Sequence, residues 1–149
     1  MENQLKKEIV VAASGYFDPL HIGHLEYLEL AKKLGDKLIV IVNNDEQAIL
    51  KKKYVFMPLN ERVKMIKSLR YVDEVIVSVD KNESVCDTLE LLKPDIFAKG
   101  GDRTIKNIPE VDICKKIGCK IVDGLGGKVQ SSSQLVQNLK LNMIILNIK

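Results

Sequence analysis

Short apolar runs alternate with amphipathic stretches along nearly the whole chain, and the two patterns have different periods. Runs at residues 9–13, 37–42, 74–79, 95–98 and 120–122 are of strand length, rich in β-branched side chains and apolar without alternation at their centres. That is the pattern of strands covered on both faces. Between them the spacing predicts helices over 23–34, 45–52, 60–69, 84–92, 109–117 and 132–141. Leu25, Leu28 and Ala31 then form one buried stripe, and Val63, Ile66 and Leu69 another. Gly35, just past the first helix, predicts a left-handed C-cap. Strand–helix alternation of this kind predicts the α/β class: a Rossmann-like single domain with a five-stranded parallel sheet flanked by helices. The domain is expected to take in residues 1–149, with its core at about 8–140. The apolar tail 141–149 is expected to pack on the domain or form a subunit contact. No internal repeat, linker or low-complexity stretch interrupts the pattern.

Composition narrows the classes. At 149 residues with 46% hydrophobic content, one domain with a sizeable core is the natural reading. The 23 basic and 20 acidic residues leave a net charge of +3, and they are well mixed, which argues against a nucleic-acid or membrane surface. No apolar run reaches the ~20 residues of a membrane span. Cys86, Cys114 and Cys119 are odd in number and follow no signal-like segment, so free thiols in a cytoplasmic setting are expected.

The chemistry concentrates in Gly15-Tyr16-Phe17-Asp18-Pro19-Leu20-His21-Ile22-Gly23-His24, which follows the first strand and opens the first helix. Backbone N–H groups in the first turn of a helix lack intrahelical partners, and the peptide dipoles leave positive charge there, so anions collect at that end. The three-residue spacing of His21 and His24 puts both imidazoles on one face. Gly23 between them leaves the backbone open to close approach by a nucleotide. Two other readings use the same residues: the imidazoles cap and solvate a surface helix, or they begin a metal site. Cys114 and Cys119 lack the usual zinc spacing from any histidine.

Ligands of an open α/β sheet bind outside the carboxyl ends of its strands. Three further polar clusters fall there: Asn43-Asn44-Asp45, Lys99-Gly100-Gly101-Asp102-Arg103, and the run 126–133 ending in Ser131-Ser132-Ser133. Each has a plainer reading as well. The serines are a helix N-cap signal, the two glycines suit a tight turn, and Lys51-Lys52-Lys53 suits a solvated patch.

The ten-residue segment resembles the signature of the cytidylyltransferase-like nucleotidyltransferases, Gly-x-Phe-Asp-x-x-His-x-Gly-His after the first strand, with every fixed position filled. The likeness extends over residues 9–139. It implies transfer of the NMP group of ATP or CTP onto a phosphorylated small molecule, with release of pyrophosphate. A sugar or polyol phosphate is the preferred acceptor. An FAD synthetase using FMN is the alternative enzyme, and a non-catalytic nucleotide-binding module is the alternative of another class. An acceptor phosphate carries about −1.5 to −2 charges at neutral pH, so positioning and electrostatics suffice without a general base.

The resemblance also implies roles. His21 and His24, with the Phe17 amide, would donate to the α-phosphate region. Lys51 or Lys53, and Arg62 of the Glu61-Arg62 pair, would neutralise phosphates. Tyr16, Phe17, Asp18, Gly23, Gly100, Gly101, Asp102, Lys128, Ser131, Ser132 and Ser133 would bind nucleotide, Asp18 by shaping its loop. Where many members carry an Arg ahead of the serine run this chain has Gly126, and Lys128 would supply the charge. Magnesium would be held mainly by the triphosphate rather than by protein ligands. Residues 51–59 are expected to be mobile before substrate binds, and a homodimer is implied. The glycines and Asp102 lean towards the heptose phosphate adenylyltransferases, the lysine spacing and Arg62 towards the glycerol-3-phosphate cytidylyltransferases.

Overall fold

The computed structural model describes residues 6–101, 108–127 and 130–148. In chain order the elements are β1 (Val10–Gly15), α1 (Ile22–Lys32), β2 (Lys37–Val42), α2 (Asp45–Lys52), α3 (Leu59–Lys67), β3 (Glu74–Val77), α4 (Cys86–Leu92), β4 (Ile96–Gly100), α5 (Val111–Ile117), β5 (Lys120–Leu125) and α6 (Ser132–Ile148). The strands form one parallel sheet in the order β3-β2-β1-β4-β5. This is the Rossmann-like α/β architecture that the alternating pattern predicts. The chain winds outward from β1 to β3 and then returns to place β4 on the other side of β1. The winding therefore reverses between β1 and β4, which opens a crevice at their carboxyl ends.

The unalternating strands are explained by two covered faces. Val11 and Ala13 of β1, with Leu38, Val40 and Val42 of β2, pack under Tyr27, Leu28 and Ala31 of α1 and Ile66 of α3. Ala12, Ile41 and Phe97 point the other way, towards Leu89 of α4 and Cys114 of α5. Alanines at the centre of β1 let the helices of both layers approach the sheet closely.

Several details depart from the sequence reading. In α1 the inward stripe is Tyr27, Leu28 and Ala31, while Leu25 is 39% exposed. Tyr27 is drawn inward by its hydroxyl, which accepts from Ser14 N–H and donates to the Ala98 carbonyl, joining β1 to β4. In α3, Ile66 is fully buried with Val63 and Leu69 packed half-buried against the same cluster. Gly35 is not left-handed, because α1 ends on Lys33 in the right-handed region. Glycine is needed there for space: a Cβ would stand 2.7 Å from Val11 Cγ2 and 2.8 Å from the Ile9 carbonyl oxygen. β3 stops at Val77 because the following turn serves α4, where the Asp80 carboxylate accepts from Asp87 N–H, Thr88 N–H and Thr88 Oγ1.

The described side chains of the tail do not pack on the domain. α6 continues to Ile148, and Leu141, Met143, Ile144, Ile145 and Leu146 remain exposed along it. Residues 139–148 contain no glycine or proline, so a helix already nucleated at Ser132 propagates through them. Among the described residues no helix is long and apolar enough to cross a membrane.

Candidate active site

The turn from β1 into α1 is built around Phe17. Its backbone is left-handed, at φ 51°, and its ring folds back onto Gly15, where a Cβ would stand 2.9 Å from Phe17 Cζ. The chain then enters α1 through a capping box made of two imidazoles. Gly23 N–H donates to His21 Nδ1 at 3.1 Å, and His21 N–H donates to His24 Nδ1 at 3.2 Å. The rings stack with centroids 3.7 Å apart, and the Phe17 ring meets His24 edge-on at 4.9 Å.

This box sets the tautomers. A backbone N–H can only donate, so both Nδ1 atoms are acceptors and the proton of each neutral ring lies on Nε2. Burial, reinforced by His21 and Lys52, lowers the His24 pKa to about 3. Burial lowers that of His21 as well. The pair is therefore neutral near pH 7, and each ring has an Nε2–H left to offer a ligand.

A cavity of about 660 Å³ opens beside the pair, in the crevice between β1 and β4. His21, His24, Lys51, Tyr16, Phe17, Gly23, Gly100, Gly101, Ser131, Ser132 and Ser133 all line it. The serines divide the work. Ser131 Oγ accepts from Gln134 N–H at 3.3 Å and caps α6, while Ser132 Oγ donates to the Pro19 carbonyl at 2.8 Å and ties α6 to the histidine turn. Gly101 lies against the loop after β5, where a Cβ would come within 1.8 Å of the Gly126 carbonyl oxygen.

Three expected site residues lie elsewhere. Arg62 does not line the cavity and is 1% exposed. Its guanidinium donates to the carbonyls of Met57, Tyr16 and Asn43 and to the Asp45 carboxylate, at 2.6–2.9 Å. With four of its five N–H donors so engaged and the side chain buried away from the cavity, it clamps the loops after β1 and β2 to the start of α3. Asp18 is fully buried, and its carboxylate accepts from the amides of Phe56 and Met57 and from Lys52 Nζ. It shapes the loop without facing the cavity. Those bonds also anchor the far half of the 51–59 segment. Lys53, the left-handed C-cap of α2 at φ 72°, sends Nζ to the Leu50 carbonyl on the exposed side. Asp102 and Lys128 lie outside the described residues.

Other lining residues went unassigned in the sequence. Lys52 faces the cavity, with Nζ 3.3 Å from Asp18 Oδ2. Burial lowers its pKa and Asp18 opposes that shift. One signal could have found it: Ala48, four residues earlier on α2, is buried, and i, i+4 positions share a face. Tyr54 sits between Lys52 and Lys140, 5.4 and 5.6 Å from their Nζ atoms, and Tyr16 lies under Lys51 at 4.9 Å. Asn43, Glu83, Lys99 and Glu110 also contribute polar groups to the lining. Among the described residues no group of three or more histidine, cysteine or acidic side chains is placed to hold a metal ion.

Comparison with known proteins agrees with this geometry. A family model described as cytidylyltransferase-like matches residues 12–135. The chain is 36% identical over 118 residues to an FAD synthase of Pyrococcus abyssi, covering 77% of this chain and 78% of that protein. To the bifunctional protein HldE of a Nitratiruptor species it is 35% identical over 134 residues, which is 88% of this chain and only 28% of that much longer one. A lipopolysaccharide core biosynthesis protein of Thermoplasma volcanium, solved by crystallography, superposes with a TM-score of 0.68 at 34% identity, over 81% of this chain and 99% of that one. The motif, the sheet order and a family match spanning most of the chain agree: this protein belongs to the cytidylyltransferase-like family of nucleotidyltransferases.

Proposed function

We propose that the chain acts as a single nucleotidyltransferase domain, moving the nucleoside monophosphate of ATP or CTP onto a small phosphorylated acceptor and releasing pyrophosphate. The observation that carries this reading is the pair of neutral, Nε2-protonated imidazoles at the mouth of α1, in a cavity shared with Lys51, Lys52, Lys140 and the α6 serines. An acceptor phosphate oxygen attacks the α-phosphorus, a new P–O bond forms, and the bond to the bridging oxygen of the β-phosphate breaks. That oxygen leaves with the pyrophosphate. The nucleophile is already ionised, so neither histidine moves a proton. Each donates an Nε2–H hydrogen bond to phosphoryl oxygens whose charge grows in the transition state, where such donors act most strongly. Lys51 and Lys52 neutralise the phosphates, and Ser133 and the first amides of α6 hold the triphosphate tail. Magnesium enters as part of the metal–nucleotide substrate.

Two acceptors are candidates. FMN is supported by the FAD synthase of Pyrococcus abyssi, which this chain matches over most of its length. A sugar or polyol phosphate is the acceptor that the sequence reading prefers. Pyrophosphate release with Mg²⁺ and ATP or CTP, measured against FMN and panels of sugar and polyol phosphates, decides among them. Release with one pairing assigns donor and acceptor together. Tight nucleotide binding with silence across the whole panel would instead favour a non-catalytic nucleotide-binding module. The homodimer is likewise a proposal, and light scattering in solution tests it.

A further inference from the structure

The cavity has two chemically different walls. The part of its lining drawn from α1, α2 and α6 carries the imidazoles, Lys51, Lys52, Lys140 and the serines, a setting for phosphates. Its α4 and α5 side presents Glu83, Val85 and Glu110, and carboxylates there repel a polyphosphate.

Glu110 is the unusual member. It is 5% exposed and stands at the N-cap of α5, yet its side chain makes no cap bond. Oε1 reaches across to the start of α4 and accepts Val85 N–H at 3.2 Å. Oε2 is shielded from solvent and has no hydrogen-bond partner among the described residues. An acceptor left this way is costly, because it has lost water and gained nothing in exchange. The structural carboxylates of this chain behave differently: Asp18 and Asp80 are buried with both oxygens engaged. A cavity-lining carboxylate held firmly by one oxygen and unpaired at the other is an acceptor awaiting a donor.

We propose that Glu110 Oε2 accepts a hydrogen bond from an uncharged O–H or N–H group of a bound substrate, so that the α4–α5 wall holds the neutral body of a substrate whose phosphates lie against the imidazoles and lysines. The inference rests on the nucleotidyl-transfer reading for the identity of those substrates. Two sources carry this chemistry: an amino or hydroxyl group of the nucleoside, and a hydroxyl or imide N–H of the acceptor.

The discriminating variant is Glu110→Gln. Val85 N–H requires an oxygen, so the amide settles with its oxygen there and its NH₂ where Oε2 stood. Packing is kept while an acceptor becomes a donor. Dissociation constants for ATP, CTP, FMN and a sugar 1-phosphate are measured by calorimetry on the full chain and on E110Q. The expected result is a selective loss of about ten- to a hundredfold, the worth of a hydrogen bond to a charged group, with an unchanged melting midpoint. Loss confined to the nucleotides assigns the nucleoside, and loss confined to one acceptor assigns the acceptor body. Unchanged affinity for every probe overturns the proposal. So does a uniform loss with a lowered midpoint, which marks a structural carboxylate. If E110Q does not fold, Glu110→Asp, which withdraws the carboxylate by one methylene, must show the same selectivity. Wild-type pyrophosphate release is recorded in parallel: silence there with selective binding loss in E110Q defeats the transfer reading alone, and turnover with unchanged affinities defeats the Glu110 assignment alone.

Discussion

Replacing Arg62 separates two accounts of the same residue. If it neutralised phosphate, as its Glu-Arg context suggests, a lysine would conserve much of the activity and the fold would not notice. The structure makes it a clamp instead. Its guanidinium supplies the donors for three carbonyls, those of Met57, Tyr16 and Asn43, and for Asp45 Oδ1. An ammonium offers its donors from one point rather than from a planar fork, so Arg62→Lys leaves at least one buried carbonyl unpaired, at about 1–3 kcal/mol. The Asp45 partner is partly exposed, and its ion pair adds little beyond this. Arg62→Ala strands all three carbonyls and opens a void, which puts its cost at about 3–5 kcal/mol or more, a large part of the ~5–15 kcal/mol that holds a domain folded. With a urea m-value near ~2 kcal/mol per molar, the unfolding midpoint should fall by roughly 0.5–1.5 M in R62K and roughly 1.5–2.5 M in R62A. Equilibrium urea unfolding followed by circular dichroism measures this. A wild-type midpoint in R62K together with lost turnover would refute the clamp and restore Arg62 to the phosphates.

Other perturbations test neighbouring parts of the site. His21→Asn and His24→Asn each keep a side-chain acceptor for the helix cap but withdraw the Nε2–H, so turnover should drop by ~10²–10³ with the fold retained; near-normal rates in either would remove that imidazole from the chemistry. His24 also sets a pH signature. Its folded pKa of about 3 lies below its ordinary 6.5, so as pH falls through that window the unfolded chain takes up a proton that the folded chain refuses, and stability declines. In H24N the slope of stability against pH between those values should be shallower, and an identical slope would argue against a desolvated His24. Lys52→Met should weaken triphosphate binding by roughly tenfold or more, whereas Lys53→Met, on the exposed side, should leave kcat/KM unchanged; the reverse order would return the phosphate contact to Lys53. Gly101→Ala must push apart the loops after β4 and β5, at about 1–3 kcal/mol and with loss of nucleotide affinity. Gly100→Ala, with nothing within 4 Å of its Cβ, should leave the melting midpoint unchanged, and equal midpoints for the two variants would contradict the close approach.

Much of the architecture was legible in the residues themselves. Unbroken short runs rich in β-branched residues, such as residues 38–42, read as strands buried on both faces, and alternation with helical periods then implies a parallel sheet. The histidine turn was legible for a local reason as well, since a capping box joins residues three apart and its chemistry is contained within one turn of helix. What periodicity could not report is what a polar side chain meets once the chain closes. Arg62 read as a phosphate ligand and Lys52 as one of a solvated lysine trio. One is sealed by carbonyls 46 and 19 residues away in the chain, and the other is turned inward beside Asp18. Likewise Glu110 looks like any helix-start glutamate until Val85, 25 residues earlier, takes one of its oxygens. Spacing along a chain decides which residues share a face, because helix and strand geometry are local. Which charges end up paired, buried or left open to a ligand depends on segments distant in sequence, and only the tertiary structure brings those together.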